Sequence, residues 1–244
     1  LCRHVVKLQQ SLLQNAKTEK DIHYYRSFLV ANAYLARDYA TAHEQYALLK
    51  QPIHSGADVR LKEFGQLSFL WAGMLEAQDL PEDFATLQKA EDAYREHRLP
   101  EALPLYQELL KSPTLAERKK TLKLARIRLA AIAVELRLAT GEWVRLADNE
   151  RKLLWQPDWG DGWWNYADGE LSYRATKAGE LGRIIMNARI GREFEVRARL
   201  DNSAELSHPQ IGIVVGHFWG CGTYATAVCG QTDPDPKSTG AALV

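Results

Sequence analysis

The amino-acid sequence predicts an α+β chain: a front of paired helices followed by a back of antiparallel strands. Three observations carry that prediction. Apolar residues recur three or four apart through roughly the first 156 residues, the period of a helix face. One phrase, ending each time in proline, occurs there three times. After Pro157 glycine becomes common and the apolar period falls to two, the period of a strand. The expected boundaries are helical hairpins over 1–156, β-structure over 157–230 and a disordered tail over 231–244.

The helical elements follow from periodicity and breakers. Breaks fall at Pro52 to Gly56, Asp79 to Pro81, Pro113 and Gly141, residues that cannot continue a helix or that close one. Between the last two, Leu122, Leu124, Ala125, Ile127, Leu129, Ile132, Val134, Leu136 and Leu138 put apolar side chains on more than one side. A helix packed between neighbours is expected there.

The repeated phrase runs from Asn32 to Pro52 and again from Asp92 to Pro113. Tyr34, Tyr39, Ala42, Tyr46 and Pro52 find equivalents in Tyr94, Leu99, Ala102, Tyr106 and Pro113. A weaker copy from Ala139 to Pro157 has Trp143 for the middle tyrosine and Leu146 for the alanine. Each copy reads as the end of one helix, a tight turn and a second helix. The small residue at Ala42 or Ala102 lets the two backbones approach, and the side chain at 39, 99 or 143 fills the space between them. This pattern resembles the tetratricopeptide repeat. The turn glycine of that family stands only at Gly141, with Arg37 and His97 in the other copies. The copies are spaced by about 60 and about 43 residues against about 34 in the family. The resemblance implies a concave groove for a peptide or partner protein; a plain helical spacer is the competing expectation.

The strands come from alternation. Leu171 to Ala175 alternates, Leu181 to Met186 holds a short apolar run, and Ile211 to Val215 is apolar throughout. In Phe194 to Leu200 the residues Phe194, Val196, Ala198 and Leu200 take one face, and Glu195, Arg197 and Arg199 the other, as in a half-buried antiparallel strand. Asp168-Gly169 is a turn pair for a two-residue hairpin. The order Trp164-Asn-Tyr-Ala-Asp-Gly-Glu-Leu171, Phe194 to Leu200, then Ile211 to Val215 resembles the opening of a concanavalin-like (laminin-G-like) jelly roll. The resemblance implies a partial antiparallel β-sandwich, cut short because the 88 residues from Pro157 to Val244 fall below the ~100 of a complete sandwich. A helical-repeat front joined to such a sandwich is similar to large planctomycete-type proteins of unknown function.

Composition narrows the function classes. Lysine plus arginine and aspartate plus glutamate both number 31 in the 244 residues, so no net charge draws nucleic acid or an anionic membrane. No apolar run approaches a membrane span. The chain opens on Leu1 without a charged-then-apolar leader, as a piece of a longer product would. Cys2, Cys221 and Cys229 are an odd, sparse set. Separate thiols are favoured over a Cys221–Cys229 pair. The seven histidines are scattered, His217 near Cys221 being the one closest to another ligand type. They form no His-Glu-x-x-His or similar metal set. No metal or other cofactor is expected.

Candidate binding residues concentrate between Trp155 and Glu170, which hold four of the seven tryptophans. Trp159, Trp163 and Trp164 with Asp161 and Glu170 have the makings of a carbohydrate platform, since pyranose C–H faces stack on indoles and carboxylates take hydroxyl hydrogen bonds. A seam between helices and sheet is favoured over the platform, because large aromatics bury much surface. Asp158, Asp161, Asp168 and Glu170 are also the raw material of a glycosidase pair. Glucanases of the resembled class carry their acids on a Glu-x-Asp-type strand, and no β-stretch here supplies one. The function expected is a non-catalytic scaffold or interaction module, with a protein or peptide at the helical groove and a glycan on the β part. The alternative is a fragment of a glycoside hydrolase whose acids lie partly outside the chain.

Overall fold

The computed structural model describes residues 2–63, 68–146, 148, 151–159, 163–167, 170–174, 183–189, 210–215, 225–231 and 239–243. Among them the order is helices first, strands last, with one apolar core in the helical part.

α1 (Cys2–Gln14) folds back on α2 (Glu19–Leu35). Thr18 caps α2: its hydroxyl oxygen accepts from the Asp21 amide at 3.1 Å and donates to the Asp21 carboxylate at 2.7 Å, satisfying an amide with no partner inside the helix. α3 (Tyr39–Ala47) is capped by Asp38, which accepts from Thr41 N. α4 (Ser55–Glu63) and α5 (Ser68–Glu76) follow the predicted break at Pro52 to Gly56. α6 (Pro81–Arg95) and α7 (Leu99–Leu109) start after the next break, and α8 (Lys119–Ala139) covers both α5 and α7. That is the helix between neighbours expected from its apolar sides. Gly73 sets the α5–α8 approach: a Cβ there would lie 2.9 Å from Leu124 Cβ and 3.0 Å from the Lys120 carbonyl. Glu76 caps α8 from outside, accepting from the Lys120 and Thr121 amides at 2.8 Å each.

The two strong copies of the repeated phrase fold back as antiparallel helix pairs, α2–α3 and α6–α7, with Ala42 and Ala102 both wholly buried. Their turns are the same. Arg37 N bonds Tyr34 O and Asp38 N bonds Ala33 O; His97 N bonds Tyr94 O and Arg98 N bonds Ala93 O. This is a Schellman closure, which needs a left-handed residue after the helix. Arg37 and His97 supply it at φ 61° and 60°.

The third copy departs from expectation. Its turn forms, with Gly141 at φ +79° and Glu142 N bonded to Arg137 O, but no second α-helix follows. Residues 142–145 are irregular, and Lys152–Leu154 is a single 3-10 turn. Two substitutions explain the loss. Glu142, at the position of the Asp38 cap, turns its carboxylate back to Arg137 Nε and Thr140 Oγ1. Leu146, at the position of Ala42 and Ala102, is too large for the close approach of a second helix. Leu154 enters the core instead and is fully buried.

Strand structure begins at Trp155, two residues before the expected boundary. β1 (Trp155–Trp159) pairs antiparallel with β4 (Arg183–Met186), with an irregularity between Pro157 and Trp159. β2 (Trp163–Ala167) pairs antiparallel with β3 (Glu170–Arg174). β5 (Gln210–Val215), β6 (Ala225–Gln231) and β7 (Thr239–Leu243) form a third antiparallel sheet in that order. The disordered tail expected over 231–244 differs from this: Gln231 ends β6 opposite Thr239, and 239–243 is a paired strand. Small residues at 240–242 gave no apolar alternation to read, yet a strand made mainly of backbone hydrogen bonds needs little of it. The strand expected over Phe194–Leu200, and Cys221 and His217, lie outside the described residues.

Candidate functional site

The tryptophan-rich stretch is divided by the strands it forms. Alternation of side chains across β2 and β3 puts Trp164, Tyr166, Leu171 and Tyr173 on a half-buried inner face. Trp163, Asn165, Ala167, Glu170, Ser172 and Arg174 are exposed on the outer face. The register sets Trp163 opposite Arg174, Asn165 opposite Ser172 and Ala167 opposite Glu170. On the inner face the Trp164 and Tyr173 rings lie 4.9 Å apart. Burial raises the Tyr166 hydroxyl pKa against the opposing pull of Arg145 and Arg151, so this face turns toward the loop after α8.

Of the five candidate binding residues, Trp163 and Glu170 therefore share one exposed surface, with Trp163 73% exposed. Trp164 is separated from them by the strand itself. Trp159 closes β1 opposite Arg183 in a different sheet, and Asp161 lies outside the described residues. Trp155 takes the seam position: its indole N–H donates to the Leu146 carbonyl at 2.9 Å.

A second concentration of functional groups lies inside the helical part, and motif reading had not found it. Arg128 of α8 makes a two-pronged ion pair with Glu91 of α6, Nε to Oε1 at 2.9 Å and one terminal nitrogen to Oε2 at 3.0 Å. Tyr106 of α7 donates to the same carboxylate at 2.6 Å. The guanidinium lies over the Tyr94 ring at 4.3 Å. Tyr94 in turn donates to Glu135 of α8 at 2.5 Å. Burial lifts the Tyr106 and Tyr94 hydroxyls well above the ordinary phenol range, and the neighbouring carboxylates Glu91 and Glu135 add to the rise. Burial disfavours the Arg128 charge, but Glu91 outweighs it and the guanidinium stays ionised.

Glu135 also ties the strands to the helices. Its Oε1 accepts from the Arg189 amide at 2.9 Å. The Arg189 guanidinium donates to the Tyr94 and Arg95 carbonyls at 3.1 Å each and lies 5.0 Å from the Tyr94 ring. His97 Nδ1 stands 3.6 Å from Glu135 Oε2, a buried oxygen with no hydrogen bond. Met186 and Ala188 pack on the helical core nearby. This cluster is closed: Glu91 and Glu135 are 8% and 3% exposed, and their bonds go to the protein. Its role is to join α6, α7, α8 and the segment after β4. The sequence signal was present in part, since Glu91 and Glu135 are charges on otherwise apolar helix faces.

Among the described residues, no group of three histidines, cysteines or carboxylates could hold a metal ion, and no helix is long and apolar enough to cross a membrane. A surface depression of about 540 Å³ beside the start of α8 is lined by Glu76, Pro113, Thr114, Ala116, Glu117 and Arg118. Glu76 there is already engaged in capping. Comparison of the chain with protein-family models, curated proteins and solved structures finds no match to any of them.

Proposed function

We propose that the chain is a non-catalytic scaffold in which tetratricopeptide-like helical hairpins carry a partial concanavalin-like β-sandwich that binds carbohydrate. The exposure of Trp163 carries this reading. A tryptophan held 73% in water forgoes the burial that stabilises large aromatics, and it lies on a strand whose other face is already half-buried. An indole face flanked by Asn165, Ser172 and Glu170 offers a pyranose both a stacking surface and hydroxyl partners. The helical part supports the scaffold half of the reading, because its buried carboxylates are spent on joining helices and strands. Its groove is the surface offered to a protein or peptide partner.

The test is tryptophan fluorescence and titration calorimetry against a panel of neutral and charged oligosaccharides. Binding that weakens at least about tenfold in Trp163→Ala, with the far-ultraviolet circular dichroism unchanged, is the expected result; a tenfold loss corresponds to about 1.4 kcal/mol. Absence of any heat or spectral change across the panel sinks the carbohydrate reading.

A further inference from the structure

We propose that the outer face of the β2–β3 hairpin selects an acidic saccharide, with a uronate unit seated at the Trp163–Arg174 end. This inference rests on the carbohydrate reading above and adds the ligand's charge and its direction along the hairpin.

Trp163 and Arg174 are directly opposite each other in the register. Opposed residues on one face of a sheet have their Cβ atoms about 5 Å apart, so one bound ring reaches both. Arg174 is exposed and makes no ion pair among the described residues. A guanidinium recognises a carboxylate through two parallel N–H donors, a geometry that a neutral hydroxyl does not match. The pyranose of a uronate presents a C–H face for Trp163 and a carboxylate at its rim for Arg174.

The other end of the face has the opposite preference. Glu170 is four residues along β3 from Arg174 and opposite Ala167, about 14 Å away at strand rise. Its carboxylate repels a second acidic unit and accepts hydroxyl hydrogen bonds. Between them the Asn165 amide is exposed, and the Ser172 hydroxyl makes only a long 3.5 Å contact to the Asn165 carbonyl. The face therefore fits a short oligosaccharide with one acidic unit at the Arg174 end and neutral units toward Glu170. An extended polyanion, such as a single-stranded nucleic acid, meets Glu170.

Calorimetric titration of the full chain decides the matter. The ligands are a mixed oligosaccharide with one terminal uronate, its methyl ester, its sulfated analogue and a single-stranded oligonucleotide. The expected result is that the uronate binds about tenfold or more tighter than its ester. Arg174→Gln abolishes that preference while leaving ester binding intact, and Trp163→Ala weakens both. Equal binding of uronate and ester, or a preference untouched by Arg174→Gln, overturns the proposal and leaves the carbohydrate reading standing. Tighter binding of the sulfated analogue or the oligonucleotide also overturns it. If no saccharide binds at all, the carbohydrate reading itself fails. Both side chains are exposed, so neither variant is expected to disturb folding, and circular dichroism checks this.

Discussion

The hairpins α2–α3 and α6–α7 are built on one phrase, yet they are held together by different chemistry. Their backbones agree in the buried alanine, the Schellman turn and the left-handed residue. Their interiors do not. Where α6 has Glu91, α2 has Ala31, sixty residues earlier in both sequence and phrase. Tyr106 therefore finds a carboxylate inside its own hairpin, whereas Tyr46 reaches out to Lys120 Nζ at 2.8 Å and packs edge-on against Trp71. A repeat can thus fix a turn and a packing distance while leaving the polar content of each unit free to vary. The second unit uses that freedom to recruit α8 and the segment after β4.

The largest expected effect separates the two hairpins by their buried charge. Arg128→Ala leaves Glu91 buried without its partner and is expected to cost about 3–5 kcal/mol. Arg60→Ala near the first hairpin, which loses one bond to Asn32 at 2.9 Å, is expected to cost about 1 kcal/mol. Equilibrium denaturation in urea measures both, and equal losses would erase the distinction.

Next in size is the shared alanine. Ala102→Leu and Ala42→Leu copy the residue found in the third unit and should each cost about 1–3 kcal/mol by overpacking, read in the same urea titrations. If either is neutral, Leu146 is not the reason that the third unit lacks its second helix.

Alkaline pH sharpens the comparison further. Burial first, then Glu91 and Glu135, raises the Tyr106 and Tyr94 hydroxyls, so the folded state holds these protons above the unfolded phenol value of about 10. Stability from this source is complete below about pH 10 and is lost as pH rises toward the folded values. Phenolate absorbance from these residues should appear together with loss of helical circular dichroism. Tyr106→Phe should lessen the slope, and phenolate formation well before unfolding would contradict the burial.

The smallest effect is at the turns. Arg37→Gly removes the steric cost of a left-handed non-glycine residue and should stabilise by up to about 1 kcal/mol. His97→Gly should gain less, because His97 also faces Glu135 at 3.6 Å. Thermal unfolding of the two variants measures the difference.

Much of this architecture was legible in the residues. Prolines and the phrase itself located the helix pairs, and alternation located β3, β4 and β5 to within two residues or so. The pairing of Ala167 with Glu170 agrees with a two-residue connection at Asp168-Gly169. Trp155 sits in the seam that its position suggested. Other features were beyond local reading. Glu91 and Arg128 are 37 residues apart, and no spacing rule joins two charges on different helices. Glu135 meets Arg189 across 54 residues for the same reason. Trp163 and Trp164 differ in role because adjacent strand residues point oppositely. The sequence carries that rule, but its sign depends on which face meets the loop after α8.

The unfinished third unit has an architectural consequence. Leu154 occupies the slot against α8 that a further helix would need, and the chain then leaves as a strand whose partner, β4, leads back to Glu135 through Arg189. The stack is thereby plugged at this side. Any lengthening of the solenoid by insertion would have to enter before Lys119, because past that point the docking ridge is already taken.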